Sequence, residues 1–446
     1  MDYTDLATRL LKKAHQQGAD AADVLVSEGT SFSVSVRKGE IETLKEAGSK
    51  ALGVRVFVGK RTATTYTSDF SEPTLDALVA EVVGMARATE EDPAAGLPDE
   101  APGETPPDLA LYDSTLEDVP TDERIEAARR AEAVAFAASP EITNSGGATY
   151  GSDQGSVVLA NSLGFLGSYR SSSAALSVVP IAERDGHMER DYWYTMSRSR
   201  AGLLAPEEVG RIAAERTLRR LGARKAETSE VPIVFDPETA AQILGHVFGA
   251  LSGYAVFRDA TFLKTRLGDT IAAPNVTIVD DGLRPGALGS RPFDGEGCAT
   301  RRNVPVENGV LRHFLCDAYS ARKIGAKPTG CARRGVGGGP SVGASNLYLE
   351  PGDRTSGDII GDVKRGLYVT DLIGFGVNLV TGDYSQGASG MWIEDGQLTY
   401  PVHEVTIAGN LEQMLLDIDA IGNDIDFHSS VSAPTLRMKN MMVSGS

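Results

Sequence analysis

Cysteine is scarce in this sequence. Three stand in 446 residues, Cys298, Cys316 and Cys331, an odd number at wide spacing. They allow no disulfide framework and no Cys-x-x-Cys pair, which points to a reducing compartment. Basic charge is also short. Lys and Arg number 43 against 61 Asp and Glu, a formal net charge of −18. So acidic a chain repels phosphate backbones, and nucleic acid is not the expected partner. The opening residues, Met1-Asp2-Tyr3-Thr4-Asp5, lack the basic region, apolar core and cleavage site of a signal peptide. Only residues 239–257 approach a membrane span, since they carry no Asp, Glu, Lys or Arg. They include Gln242, His246, Ser252 and three glycines, and Asp236-Pro237 and Arg258-Asp259 flank them, so a buried helix is expected. These absences together predict a soluble, cytoplasmic protein.

What is present is turn-forming and globular. Hydrophobic residues make up 41% and charged residues 23%, which excludes general disorder, and the length implies two or three domains. Gly reaches 49, which predicts many tight turns between short strands. Residues 89–120 hold ten acidic residues, six prolines and no basic residue. Such a stretch is expected as an extended, solvated connection. Before it, Leu6, Leu10, Leu11 and Ala14 recur at helical spacing. Phe32, Val34 and Val36, then Leu52, Val54, Val56 and Val58, alternate as strands covered on one face. Ser71-Glu72-Pro73 opens a second helix.

After 89–120 the order recurs. A helix is predicted over 121–138, strands over 157–159, 165–181 and 192–196, and a helix over 206–221. Helix, strands and helix again read as a structural duplication with a period near 120 residues. From Val231 the pattern changes to a short strand (231–235), a helix (240–251) and then strands. Turn signals such as Asp280-Asp281-Gly282, Asp294-Gly295, Glu307-Asn308-Gly309 and Glu394-Asp395-Gly396 punctuate them. The predicted fold is α+β. A duplicated helix–sheet–helix N-terminal half (1–225) is followed by a β-rich, sandwich- or barrel-like half (226–446).

The catalytic motifs tested do not fit. The run from Gly53 to Arg61 places five residues between its glycines where a phosphate-binding loop has four, and Arg61 replaces the magnesium-binding hydroxyl. The basic, glycine-rich run 333–339 could cradle an anion on backbone amides, but a hairpin loop or substrate-facing flap is the stronger expectation. Around Ser385 and Ser389 there is no Gly-x-Ser-x-Gly, because Asp383 and Met391 occupy glycine positions. Neither His246 nor His403 has a second histidine one turn on, as a zinc helix requires.

Several blocks in order carry a resemblance. The run Ile243 to Gly253 leads into Arg258 and Phe262. Pro292-Phe293-Asp294-Gly295-Glu296-Gly297 precedes Arg301-Arg302, and Tyr319-Ser320-Ala321-Arg322-Lys323 follows. Then come Gly382-Asp383-Tyr384-Ser385, Ile407 to Leu411, and Gly422-Asn423-Asp424. Over essentially its whole length the chain resembles the TldD/PmbA family, in its PmbA (TldE) branch. The resemblance implies a cytoplasmic heterodimer in which TldD and TldE together cleave unfolded peptides. In TldD a helix with a His-Glu-x-x-x-His motif and a cysteine near the C-terminus hold the metal.

The corresponding helix here offers Gly245 and His246 where the His-Glu pair would fall, and Gly249-Ala250 before Leu251 where the second histidine would. No cysteine follows Cys331, so 429–434 supplies no further ligand. The resemblance therefore implies a chain without catalytic or metal-binding residues of its own, with zinc in a TldD-type partner. Glycine and alanine on this helix read as close backbone packing. Arg301, Asp383, Tyr384 and Ser385 are candidate groups facing a peptide cavity, and each serves equally well as a turn or ladder-end residue. A homodimer is an alternative when the chain is alone. Two rival functions remain: a non-proteolytic binding or regulatory protein of the DNA-gyrase-modulator type, and a homodimeric hydrolase using a different site.

Overall fold

The computed structural model describes residues 2–99 and 108–445. In the first half, α1 (Tyr3–Gln16), β1 (Ala21–Arg37), β2 (Glu40–Val58), β3 (Arg61–Thr67) and α2 (Glu72–Ala88) form one unit. Its order recurs in α3 (Thr121–Ala137), β4 (Ile142–Asn161), β5 (Leu166–Arg184), β6 (His187–Arg190), β7 (Trp193–Ser197) and α4 (Pro206–Leu218). The two units share one sheet ordered β3-β2-β1-β4-β5-β6, with β7 also on β5. The expected duplication is therefore built as a single antiparallel sheet joined at β1–β4.

At the middle of that joint Gly29 faces Gly155. A Cβ on either would stand 2.7 Å from a backbone oxygen of the opposite strand, Gln154 O or Glu28 O. Only glycine lets the strands approach so closely. On one side of this point Val24 and Val26 pack with Leu52, Val54 and Val56 beneath α1 and α2. On the other, Phe32, Val34 and Val36 pack with Tyr150 and Leu176 beneath α3 and α4. The period-two pattern read from the sequence is this shared apolar face. At α2, Ser71 is the N-cap residue, but its hydroxyl bonds Asp69 and Thr74 instead of a helix amide.

The expectation of a solvated connection over 89–120 needs correction. Residues 100–107 of that stretch lie outside the described residues. Ala94, Ala95, Leu97, Leu109, Leu116 and Val119 are all buried. Arg322 donates to the carbonyls of Ala94, Gly96 and Leu97, and Asp92 accepts from Tyr319 and Lys323 at 2.7 and 2.8 Å. The few apolar residues of an acidic segment are enough to seat it when cations on another element receive its carbonyls.

The second half begins with β8 (Ser229–Phe235), α5 (Pro237–Leu251), α6 (Gly253–Phe257), β9 (Ile278–Asp281), β10 (Arg302–Glu307) and β11 (Val310–Leu311). Then come α7 (Ala318–Ile324), β12 (Ala332–Arg333), β13 (Ser341–Val342), β14 (Leu347–Leu349) and α8 (Ser356–Gly361). It ends with β15 (Arg365–Ile373), β16 (Asp383–Glu394), β17 (Gln397–Asn410), α9 (Leu411–Leu416), β18 (Ile418–Ile421), β19 (Val431–Ser432) and β20 (Leu436–Ser444). The larger sheet runs β17-β16-β15-β8-β20-β18, and an extra β17–β20 pairing closes it into a barrel. A second sheet runs β11-β10-β9-β14-β19.

Two of the expected turns make hairpins. Asn308-Gly309 and Asp395-Gly396 have φ of 49° and 78°, and 48° and 77°, the left-handed pair that a two-residue hairpin needs. Asp280-Asp281-Gly282 instead ends β9, and Asp294-Gly295 sits in a buried loop.

The halves are clasped together. The run 333–339 is the loop of the β12–β13 hairpin, one of the two expected readings, and not an open flap: it presses on the N-terminal sheet, and a Cβ on Gly53 would stand 1.9 Å from the Val336 carbonyl oxygen. From α4, Arg216 reaches Asp191 and Asp236, each at 3.4 Å.

Candidate functional site

The charge-free run breaks into α5 and α6 at Ser252, whose hydroxyl accepts the Tyr254 N–H. Among the described residues no helix is long and apolar enough to cross a membrane. α5 starts where it does because Asp236 accepts the Thr239 N–H at 2.9 Å and Pro237 occupies the first turn. Thr239, Ala240, Ile243, Leu244, Val247, Ala250 and Leu251 are buried, packing α5 against the barrel and the second sheet. Gln242, Gly245, His246 and Gly249, spaced three and four apart, form the open face.

His246 is half-buried and meets β16. Its Nε2 lies 3.3 Å from Gln386 Nε2, and its ring sits edge-on to Tyr384 with centroids 6.4 Å apart. Burial holds the imidazole below its ordinary pKa, so the ring is neutral near pH 7. The amide then donates to an unprotonated Nε2, which leaves the ring proton on Nδ1. Tyr384 is buried, its hydroxyl has no hydrogen-bond partner, and burial pushes its phenol up. Reading all these small residues as close packing holds only in part. A Cβ on Gly249 would strike Leu379 at 2.9 Å, and Ala250 is fully buried. Gly245, however, faces open space.

The other sequence candidates separate. Along β16, Tyr384 points inward while Asp383 and Ser385 alternate outward. Asp383 accepts the Thr381 hydroxyl at 2.6 Å, and the Ser385 amide donates to Gly376 O at 2.7 Å. These are turn and ladder-end roles. Arg301 lies just before β10 in the second sheet, and its carbonyl accepts the Gly282 N–H. Gln386, on the inward face with Tyr384, was missed. Alternation along the strand would have found it.

The C-terminal segment comes close as well, because β19 packs on α5. His428 pairs with Asp426 at 2.6 Å and lies edge-on to Trp193 and Tyr194. Among the described residues, no three His, Cys, Asp or Glu side chains gather closely enough to share a metal ion. All three cysteines are buried, and burial pushes Cys316 up to about 12.

A second polar centre lies where the halves meet. Asp23 on β1 binds Arg55 Nε and Nη2 at 2.8 and 2.5 Å, and Arg334 Nη1 at 2.5 Å. Burial raises its carboxyl, but Arg334 and Arg55 outweigh that and hold it low. Glu296 stands 3.9 Å from Arg55, and burial pushes its carboxyl up to about 8. No local pattern marks this centre, since its members are dispersed from Asp23 to Arg334.

A closed C-terminal barrel with a half-open helix beside it, docked on a duplicated long-stranded sheet, defines a recognisable class of fold. A putative modulator of DNA gyrase from Bacteroides thetaiotaomicron has that architecture, with TM-score 0.92 and 30% identity over all of both chains. TldE from Thermococcus kodakarensis matches in fold, with TM-score 0.89 and 22% identity over 98% and 99% of the two chains. The chain belongs to the PmbA/TldD metallopeptidase family. It matches, in order, PmbA/TldA metallopeptidase domain 1 over residues 22–86, the central domain over 114–221 and the C-terminal domain over 228–445. It is 39% identical to metalloprotease PmbA of Escherichia coli O157:H7, over 96% of this chain and 93% of that protein. It is 37% identical to a PmbA homologue of Haemophilus influenzae, over 95% and 92%.

Proposed function

We propose that this chain is the PmbA/TldE-type subunit of a cytoplasmic TldD–TldE metalloprotease that processes unfolded peptides. In this reading it supplies no metal ligands, and zinc sits in the TldD-type partner. One observation carries the reading. The open face of α5 presents a single imidazole whose Nε2 meets a glutamine amide. Zinc hydrolysis needs three ligands, an open position and a base, and neither an amide nor a protonated phenol completes such a set. The residues present at this locus do not fit a zinc ion.

The same face suits peptide. Gln242 and His246 offer polar groups beside a helix surface kept low by Gly245. Among the described residues, no strand pairs with the outer edge of β2 before Leu52, which leaves backbone N–H and C=O groups for strand addition. The test mixes the purified chain with a TldD-type partner. Complex formation and chelator-sensitive cleavage of unfolded peptides are expected from the mixture, and neither zinc nor cleavage from this chain alone. Cleavage by the mixture that is independent of this chain would support a binding or regulatory role instead.

A further inference from the structure

The run from Leu372 to Gly382 contains no charged residue. It carries the chain from the end of β15 back into β16, beside α5. Val377 and Leu379 seat it on the C-terminal core. Leu379 lies 2.9 Å from where a Cβ on Gly249 of α5 would stand. Three other large apolar side chains of the run face solvent. Ile373 is 62% exposed, Val380 is 54% exposed, and Phe375 is wholly exposed.

The backbone is tied, so it cannot fold these side chains away. Gly376 O accepts the Ser385 N–H at 2.7 Å, Leu379 O accepts the Phe262 N–H at 2.8 Å, and Gly382 O accepts the Leu411 N–H at 2.7 Å. The Asn378 N–H donates to Asp383 O at 2.9 Å, and Asn410 Nδ2 donates to Thr381 O at 2.9 Å. A Cβ on Gly376 would stand 1.9 Å from Ser385 O, so only glycine lets the loop lie this close to β16. Burying a phenylalanine ring is among the larger apolar gains open to a fold. A fixed loop that holds one in water forgoes that gain, and apolar surface displayed in this way marks contact with another molecule.

We propose that residues 372–382 are the docking loop for the metal-bearing second chain, with Phe375 as the anchor that enters an apolar pocket on it. The identity of the occupant rests on the subunit reading above, and the exposed anchor rests on the loop alone. Charge selects against a second copy. Two chains of net charge −18 repel each other. Asp383 is exposed where the neutral run ends, and a two-fold contact there would set it near its own copy. A different chain, with basic residues rimming its apolar pocket, meets both the neutral centre and the acidic edge. Position agrees with this occupant. Gly249, against which Leu379 packs, is one helical turn from His246, so a chain seated on Phe375 stands beside the open face of α5. An aromatic ring flanked by smaller apolar side chains is the usual form of an interface hot spot.

The test mixes the full-length chain with a TldD-type partner. Affinity is read by calorimetry, and the solvent reactivity of Phe375 by hydroxyl-radical footprinting. Phe375 should be reactive in the chain alone and protected in the complex. Phe375→Ala should weaken the complex at least about tenfold. Its melting temperature should match the parent's, because a wholly exposed ring supports nothing in its own fold. Leu163→Ala, at an apolar residue 61% exposed in the turn between β4 and β5, should leave the affinity unchanged. A complex in which Phe375 stays as reactive as before, or one formed as tightly by Phe375→Ala, would overturn the docking loop and leave the subunit reading standing. Protection of Phe375 that grows with the concentration of this chain alone would overturn the choice of occupant in favour of a second copy. The absence of any complex would remove the subunit reading and this inference with it.

Discussion

At the scale of the residue, the arrangement turns on which acid an arginine serves. Asp23 takes Nε and Nη2 of Arg55, and Glu296 is left 3.9 Å away, so burial wins at Glu296 and its carboxyl rises to about 8 from an ordinary 4.5. A folded pKa above the unfolded one means the native state holds the extra proton. Its contribution to stability is complete below about pH 4.5 and is lost as pH rises through about 8. Asp280 and Asp294, each raised to about 6 by burial, lose theirs earlier. The fall in melting temperature from about pH 7 to about pH 8 should therefore be shallower in Glu296→Gln than in the parent. An equally steep fall in the variant would place the titrating proton elsewhere. His246 is a milder case. Half-buried with one hydrogen bond, it should cost about 1 kcal/mol or less on replacement by alanine, read by urea unfolding.

At the scale of the element, the long strands and their seats decide stability. The N-terminal sheet depends on Gly29 opposite Gly155, where an added methyl meets backbone that cannot rotate aside. Gly29→Ala should destabilise by about 1–3 kcal/mol in denaturant unfolding, whereas alanine at Gly48, where a Cβ meets nothing within 4 Å, should be close to neutral. Arg322 from α7 holds three carbonyls of the acidic segment. Arg322→Ala should make residues 92–97 a new site of limited proteolysis, mapped by mass spectrometry. Protection there as firm as in the parent would mean that Ala94, Ala95 and Leu97 seat the segment unaided.

What could be read in advance follows the same division. α1, α2, the joined run α5–α6 and two hairpin turns were legible because local periodicity and Asn-Gly or Asp-Gly chemistry specify them. The first half of β2, residues 40–50, was not. It is exposed along its length, so no apolar alternation marks it, and pairing with β1 alone makes it a strand. The loop 333–339 is legible as a hairpin loop, but its glycines conceal that Val336 needs Gly53 opposite. The pair His246–Gln386 spans 140 residues and left no trace in local pattern beyond the inward side of β16.

At the scale of the whole molecule, the family fixes the fold, and the open face of α5 bears on the role. On that face Gly245 meets open space, and His246 is a single neutral imidazole set against Gln386 of β16. On the proposed function, any hydrolysis draws its metal from a second chain. The most direct measurement is zinc content by elemental mass spectrometry on the chain purified alone, with peptide cleavage assayed on the same sample and again after adding a TldD-type partner. No stoichiometric zinc and no cleavage are expected from the chain alone, then chelator-sensitive cleavage in the mixture that survives His246→Ala within a few-fold. One tightly held zinc per chain, lost on His246→Ala and accompanied by cleavage without a partner, would contradict it.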